Sequence, residues 1–163
     1  LSNLSKYEVV MNAITKFESF YTDLASMKIE ELADLYSKDV TFVDPIAAHS
    51  GITAVEAYFT KLLHNAKYCS FTIHSIEQTI SIPTDSESKS TTDGSGYLVT
   101  WKMSFTSARI NKGQPIHVDG VSQLKIKNNK ITYHRDYYDL GQMIYENIPL
   151  LGRLIKRIKR TLG

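Results

Sequence analysis

From Tyr68 to about Tyr138 the apolar residues recur at every second position, whereas most of what precedes that stretch recurs at three and four. A period of two over so long a run admits only a sheet with one covered face, and the helical stretch upstream is what can cover it. The run divides into four long strands, CSFTIHSIEQTISI, GYLVTWKMSFTSARI, PIHVDGVSQLKIK and KITYHRDYYD. Their connections, TDSESKSTTDGSG, NKGQ and NN, are polar and rich in turn formers, so successive strands are expected to pair antiparallel. The first connection carries no large apolar side chain along its thirteen residues and is expected to be mobile.

Three helices are expected ahead of the sheet. Ser5 with Glu8 reads as a capping box, each side chain satisfying a backbone donor that the first turn leaves free. Val10, Ala13, Ile14, Phe17, Phe20, Tyr21 and Leu24 then form one apolar stripe, which should hold to about Ser26. Ile29, Leu32, Ala33, Leu35 and Tyr36 predict a second, shorter helix. VTFVDP follows as a strand that stops at Pro45, because proline lacks the amide that a ladder needs. Thr53 with Glu56 reads as another capping box, opening a helix striped by Val55, Tyr58, Phe59, Leu62 and Leu63. The expectation is one α+β domain over residues 1–149 and a tail over 150–163.

The 163 residues suffice for one core without staples. Cys69 is alone, which excludes an internal disulfide and suits a reducing compartment. With no signal-peptide pattern near Lys6 and Glu8 and no apolar run of spanning length, the expected location is the cytoplasm. Net charge is +2, but Arg153, Lys156, Arg157, Lys159 and Arg160 supply five of nineteen basic residues, leaving fourteen against seventeen acidic elsewhere. A mildly acidic body gives no support to nucleic-acid binding. The five histidines lack paired helical spacing, and there is no phosphate loop, dinucleotide fingerprint or nucleophile elbow. No metal and no cofactor are therefore expected.

The last strand carries the candidate chemistry. In extended chain His134, Asp136 and Tyr138 share one face, and Tyr133, Arg135 and Tyr137 the other. If the first face is inside, the strand lays an imidazole, a carboxylate and a phenol along one wall of the interior. The plainer readings are an ion pair for Asp136 and a satisfied core or rim position for His134. Phe42 and Asp44 likewise share a face, and Asp44 ahead of Pro45 is also a turn former. His117 and Asp119 join such a site only if a bulge breaks the strand parity there.

After Pro149 the tail LLGRLIKRIKRTLG places Leu151, Leu154, Ile155, Ile158 and Leu162 on one helical face and basic residues around the rest, with no acid after Glu146. Such a helix lies on an anionic membrane surface through Arg153, Lys156, Arg157, Lys159 and Arg160, packs against a partner subunit, or closes the core of its own domain. A start after Gly152 is one expectation for it.

Two stretches, LYSKDVTFVDP with SGITAVEAYF and GVSQLKIKNNKITYHRDYYDL, resemble the nuclear transport factor 2-like superfamily, which includes ketosteroid isomerase, scytalone dehydratase, limonene epoxide hydrolase and SnoaL-like polyketide cyclases. The resemblance implies a cone-shaped α+β fold, with a strongly curved antiparallel sheet wrapped around three helices and a deep apolar pocket for a steroid-, polyketide- or terpenoid-like molecule. It also implies a homodimer formed through the sheet. Asp44 falls at the isomerase's general base, while Phe20 and Ser122 stand where that enzyme keeps its two enolate donors. Asp136 falls at the epoxide hydrolase's aspartate, but its arginine and second aspartate are replaced by Trp101 and Met103, so epoxide hydrolysis is not expected. The implied reaction is cofactor-independent isomerase or lyase chemistry, Asp44 moving the proton with Asp136 and His134 as partners. The implied ligand-binding set is Phe17, Phe20, Tyr21, Phe42, Tyr58, Trp101, Met103, Phe105, Ser122 and Tyr138. A non-catalytic ligand-binding or dimerisation module is the alternative, associated with a membrane surface through the tail.

Overall fold

A computed structural model describes residues 13–24, 26–79 and 94–162. The Ser5–Glu8 capping box and nearly all of the long polar connection lie outside the described residues. Helix α1 (13–22) presents Ala13, Ile14, Phe17, Phe20 and Tyr21 as one buried stripe, as the three-and-four spacing requires. The second helix is shorter than expected. A 3-10 turn, Ile29–Glu31, leads into the single turn of α2 (Leu32–Leu35), and Tyr36 already belongs to strand β1 (Tyr36–Val43). A short strand that the sequence pattern did not reveal, β2 (Ala48–Ser50), folds back on β1.

Helix α3 (Ile52–Asn65) starts one residue before the expected cap. Gly51 takes the N-cap position with φ +81°, a left-handed conformation that glycine adopts without strain, and no side chain caps the helix, so Thr53 and Glu56 do not form a box. Val55 and Phe59 are buried from it. Strands β3 (Tyr68–Thr79), β4 (Ser95–Thr106), β5 (Ile116–Lys127) and β6 (Lys130–Tyr138) follow as the period of two predicts. The sheet runs in the order β2-β1-β6-β5-β4-β3. It is mixed: β1 pairs with β6 in parallel, and every other pairing is antiparallel.

Irregular registers bend the sheet at three places: within β1 against β6, in β3 between Ile73 and Ser75, and between β5 and β6 beside Ile126. The last decides which face of β6 is inside. Ile126 pairs with Ile131 while Lys125 pairs with Tyr133, so Thr132 is the extra residue. Ile131 therefore faces the core together with His134, Asp136 and Tyr138. Strict alternation from Ile131 would have put Tyr133, Arg135 and Tyr137 there instead.

The core lies between the concave face and helices α1 and α3. β4 contributes Val99, Trp101, Met103 and Phe105, β5 contributes Val118, Leu124 and Ile126, and each is buried. After β6, Asp139 caps the single turn of α4 (Leu140–Met143) by accepting from the Gln142 amide at 3.1 Å. A 3-10 turn, Tyr145–Asn147, then leads to α5 (Pro149–Leu162). The tail helix thus begins before Gly152, and Gly152 is its one buried residue.

Candidate active site

His134 is the centre of the polar interior. It has no exposed surface, and the rings of Phe17, Tyr21, Tyr36 and Phe42 surround it at centroid distances of 4.8–5.9 Å. An imidazole in such a place must have both nitrogens bonded. Its Nδ1 lies 2.6 Å from the Tyr36 hydroxyl, and that hydroxyl lies 2.6 Å from the Tyr21 hydroxyl. On the other side Nε2 lies 2.7 Å from Oδ1 of Asp136. A continuous chain of hydrogen bonds therefore runs Tyr21–Tyr36–His134–Asp136.

The chain has a direction set by its protons. The Nε2–H must donate to the Asp136 carboxylate, which only accepts. With a neutral imidazole, Nδ1 accepts from Tyr36, Tyr36 accepts from Tyr21, and Tyr21 offers only a lone pair beyond the chain. With an imidazolium, Nδ1–H donates to Tyr36, the two phenols turn round, and the Tyr21 proton is released to whatever lies in front of it.

Asp136 is fixed on one oxygen and open on the other. Oδ1 accepts from His134 and, at 2.5 Å, from the Ser122 hydroxyl, which itself accepts from the Trp101 indole at 2.8 Å. For Oδ2 there is no hydrogen-bond partner among the described residues. Trp101 reaches Ser122 because its ring lies across Gly120, the residue opposite it on β5; a β-carbon there would come within 2.2 Å of the indole.

Asp44 is held differently. Its Oδ1 accepts from the amides of Ile46 and Ala47, each at 2.8 Å, closing the turn between β1 and β2. Oδ2 accepts a short hydrogen bond from Tyr58. The turn-forming reading of Asp-Pro thus describes one oxygen, while the other faces the interior.

Asp44 and Asp136 line one cavity. Its walls include Tyr21, Phe42, Tyr58, Trp101, Met103 and Tyr138. The rings stand close: Phe71 is 5.0 Å from Trp101 and 5.2 Å from Tyr21 between centroids, and Trp101 is 6.2 Å from Tyr138. This is a narrow apolar slot with two carboxylates and three phenols as its polar groups.

The sequence profile of the SnoaL-like domain family matches residues 17–134, most of the chain and nearly all of the sheet. The chain belongs to that family. No curated protein sequence matches it at a significant level. Solved structures share the fold. A hypothetical protein from Catenulispora acidiphila DSM 44928 with a ketosteroid isomerase-like fold, in complex with trimethylamine, is 16% identical with a TM-score of 0.63, covering 85% of this chain and 92% of its own. A protein from Bacillus subtilis provisionally described as an isomerase is 13% identical with a TM-score of 0.62, covering 88% and 94%. One from Jannaschia sp. CCS1, provisionally described as a SnoaL-like polyketide cyclase, is 10% identical with a TM-score of 0.61, covering 83% and 91%. The cone-shaped α+β architecture is that of the nuclear transport factor 2-like superfamily.

Within this SnoaL-like domain the expected site residues separate into three groups. Asp44, Asp136, Tyr21, Phe42, Tyr58, Trp101, Met103 and Tyr138 reach the cavity wall. His134 and Ser122 sit behind Asp136 rather than on the wall. Phe17, Phe20 and Phe105 are buried but do not line the space; Phe20 packs edge-on against Phe59 instead. On α1 the phenol that enters the site is therefore Tyr21, the neighbour of the position the isomerase resemblance pointed to. His117 and Asp119 are outside it: β5 keeps its parity there, His117 bonds Ser104 at 2.8 Å and Asp119 pairs with Lys102 at 3.5 Å, all toward solvent. Leu24, Phe59, Leu62, Cys69, Phe71 and Met143 complete the wall and were not singled out from sequence, although Phe59 and Leu62 lie on the α3 stripe. Tyr36 was missed because its position reads as the end of a helix.

Burial first, and the neighbouring Tyr36 and Asp136 second, push the Tyr21 hydroxyl well above the ordinary phenol range. Burial does the same for Tyr36, against a smaller opposing effect of its bond to Tyr21. Tyr58 and Tyr138 are raised as well, again by burial first and then by Asp44 and Asp136. All four therefore remain protonated donors at neutral pH. Burial also pushes the Cys69 thiol up to about 12, so it serves as an apolar wall and not as a nucleophile. Among the described residues no three His, Cys, Asp or Glu side chains are close enough to hold a metal ion.

Proposed function

We propose that this SnoaL-like domain binds a small, largely apolar carbonyl compound in the slot and moves a proton on it without a cofactor, as an isomerase or lyase. The observation that carries the reading is the asymmetry of the two carboxylates. Both oxygens of Asp44 are taken, by the Ile46 and Ala47 amides and the Tyr58 phenol, whereas Asp136 lines the same cavity with hydrogen-bond partners, Ser122 and His134, on Oδ1 alone among the described residues. A base must meet its proton directly, and geometry precedes every other criterion for one. The assignment is therefore Asp136 as the proton-transferring group, with Asp44 orienting the Tyr58 phenol beside the ligand.

The step follows from the chain of protons behind Asp136. Oδ2 takes the proton from the carbon beside the carbonyl, the electron pair moves onto the carbonyl oxygen, and Tyr21 donates to the enolate that forms. Tyr21 has a proton to offer when His134 is doubly protonated and the phenols point outward. Returning the proton from Asp136 to a different carbon completes an isomerisation with no net change in atoms or charge. An enolate donor of this kind is worth about 10²–10³ in rate.

The test uses 3-cyclohexenone, a small apolar ketone with activated protons, in heavy water. Wild-type protein should exchange its activated protons and convert it to 2-cyclohexenone. Asp136→Asn should lose at least about a hundredfold while the ligand still raises the melting temperature. Ligand-induced stabilisation without exchange in wild-type protein would leave a binding module and discard the catalytic reading.

A further inference from the structure

Helix α5 is attached to the domain by its flank. Gly152 is buried so closely against the turn before the helix that a β-carbon would lie 2.1 Å from the Glu146 carbonyl oxygen. Nearly two turns further on, Lys159 pairs with Glu146 and comes within 4.0 Å of Asp139. At 100° per residue, Gly152 and Lys159 lie on the border between the apolar and basic faces. The contact therefore consumes neither face.

What remains is an uncovered amphipathic surface. Leu150, Leu154, Ile158 and Leu162 are 76, 56, 49 and 82% exposed, and Leu151 is exposed beside them. An ordinary closing helix would bury these side chains, but none of them belongs to the core. Arg153, Lys156, Arg157 and Arg160 fan out around the rest of the circumference, and the helix contains no acid at all. We infer that α5 is a docking element for an anionic lipid surface. Its apolar face sinks among the acyl chains at the level of the headgroups, and its cations meet lipid phosphates on both sides of the groove it makes.

Charge decides between this occupant and a second copy of the chain. Two α5 helices packed through their leucines would flank the seam with Arg157 and Lys159 of each subunit and leave the other cations around the pair, with no carboxylate in either helix to answer them. An anionic bilayer answers the cations that Glu146 and Asp139 do not. At 14 residues the helix is about 21 Å long, too short to cross a bilayer and suited to lying in its plane. No helix among the described residues is long and apolar enough to span.

Co-sedimentation of the full chain with vesicles tests the inference, using phosphatidylcholine alone and phosphatidylcholine mixed with an equal part of phosphatidylglycerol. The anionic vesicles should bind at least about tenfold more tightly than the neutral ones, and high salt should erase most of the difference because screening shortens to about 3 Å at 1 M. K156Q/R157Q/R160Q should lose the anionic preference, and Leu154→Asp should lose binding to both vesicles, each with an unchanged circular dichroism spectrum because the replaced side chains are exposed. Equal, salt-insensitive partitioning, or none, overturns the inference. Concentration-dependent dimerisation that Leu154→Asp abolishes, without vesicle binding, would assign the face to a second copy instead.

Discussion

Tyr36 and His134, 98 positions apart, stack with ring centroids 5.9 Å apart and planes 14° from parallel, while the phenol oxygen meets Nδ1 at 2.6 Å. The pair joins the first strand to the last across the parallel seam of the sheet. It also connects two points of the cavity wall, Tyr21 and Asp136, through the protein interior. Fold and candidate chemistry share this contact.

Tyr36→Phe should consequently lower stability, since it removes one hydroxyl and leaves a buried imidazole nitrogen without its partner. The expected cost is about 1–3 kcal/mol, or about 2–4 °C in melting temperature per kcal/mol for a chain of this size. The ring itself is retained, so packing is little changed. Urea denaturation of the two proteins measures it, and an unchanged midpoint would mean that the bond contributes nothing to folding.

The two aspartates should respond oppositely. Asp44→Ala removes the acceptor of two amides and the Tyr58 phenol and should cost about 2–3 kcal/mol, because the turn into β2 loses its clamp. Asp44→Asn keeps one carbonyl acceptor and should hold proton exchange within about tenfold of wild type. Asp136→Asn should behave in reverse, with little change in melting temperature and a large loss of exchange. Abolished exchange in Asp44→Asn with normal Asp136→Asn activity would transfer the base to Asp44, the assignment that the isomerase resemblance alone suggests.

The two carboxylates stood out through the family resemblance of the stretches that carry them, while the long strands and the stripe of α1 could be read from the sequence because each depends on a local period. Tyr36 could not. It follows Leu32 and Leu35 at helical spacing, and only the parallel pairing with β6, a contact across most of the chain, makes it the start of a strand. The inward face of β6 was similarly undecidable, since one bulge residue at Thr132 inverts the parity and nothing in KITYHRDYYD marks which residue is extra. The exposure of α5 was open for a different reason: an amphipathic pattern states that a face needs covering without stating what covers it.

Gly120→Ala should damage the site from behind. Its new β-carbon would sit within 2.2–2.6 Å of three ring atoms of Trp101, and a rigid indole flanked by Phe71 has little room to move. Over-packing of this kind costs about 1–3 kcal/mol. Displacing the ring also draws Nε1 from Ser122 and loosens the hold on Asp136. Trp101 is the sole tryptophan, so its fluorescence reports the change directly. A shifted emission maximum together with reduced exchange is expected, and a spectrum identical to wild type would show that the backbone accommodates the methyl group.

Alkaline pH should destabilise the domain well before its surface chemistry requires it. Cys69 is neutral when protonated, and burial raises it to about 12, whereas in the unfolded chain a thiol ionises near about 8.5. Between those values the folded state keeps a proton that the unfolded state has released. Fewer protons bound on unfolding means that stability falls as pH rises, by up to about 1.4 kcal/mol per unit from this one group. Below about 8.5 both states are protonated and the contribution is fully present. Tyr21, Tyr36, Tyr58 and Tyr138, all raised by burial, add to the fall once the unfolded phenols begin to ionise near about 10. Urea midpoints should therefore decline from pH 8.5 upward and steepen near pH 10, and Cys69→Ala should remove the first part of the decline while leaving the second. A flat profile to pH 10 in both proteins would mean that the thiol ionises as readily in the fold as out of it.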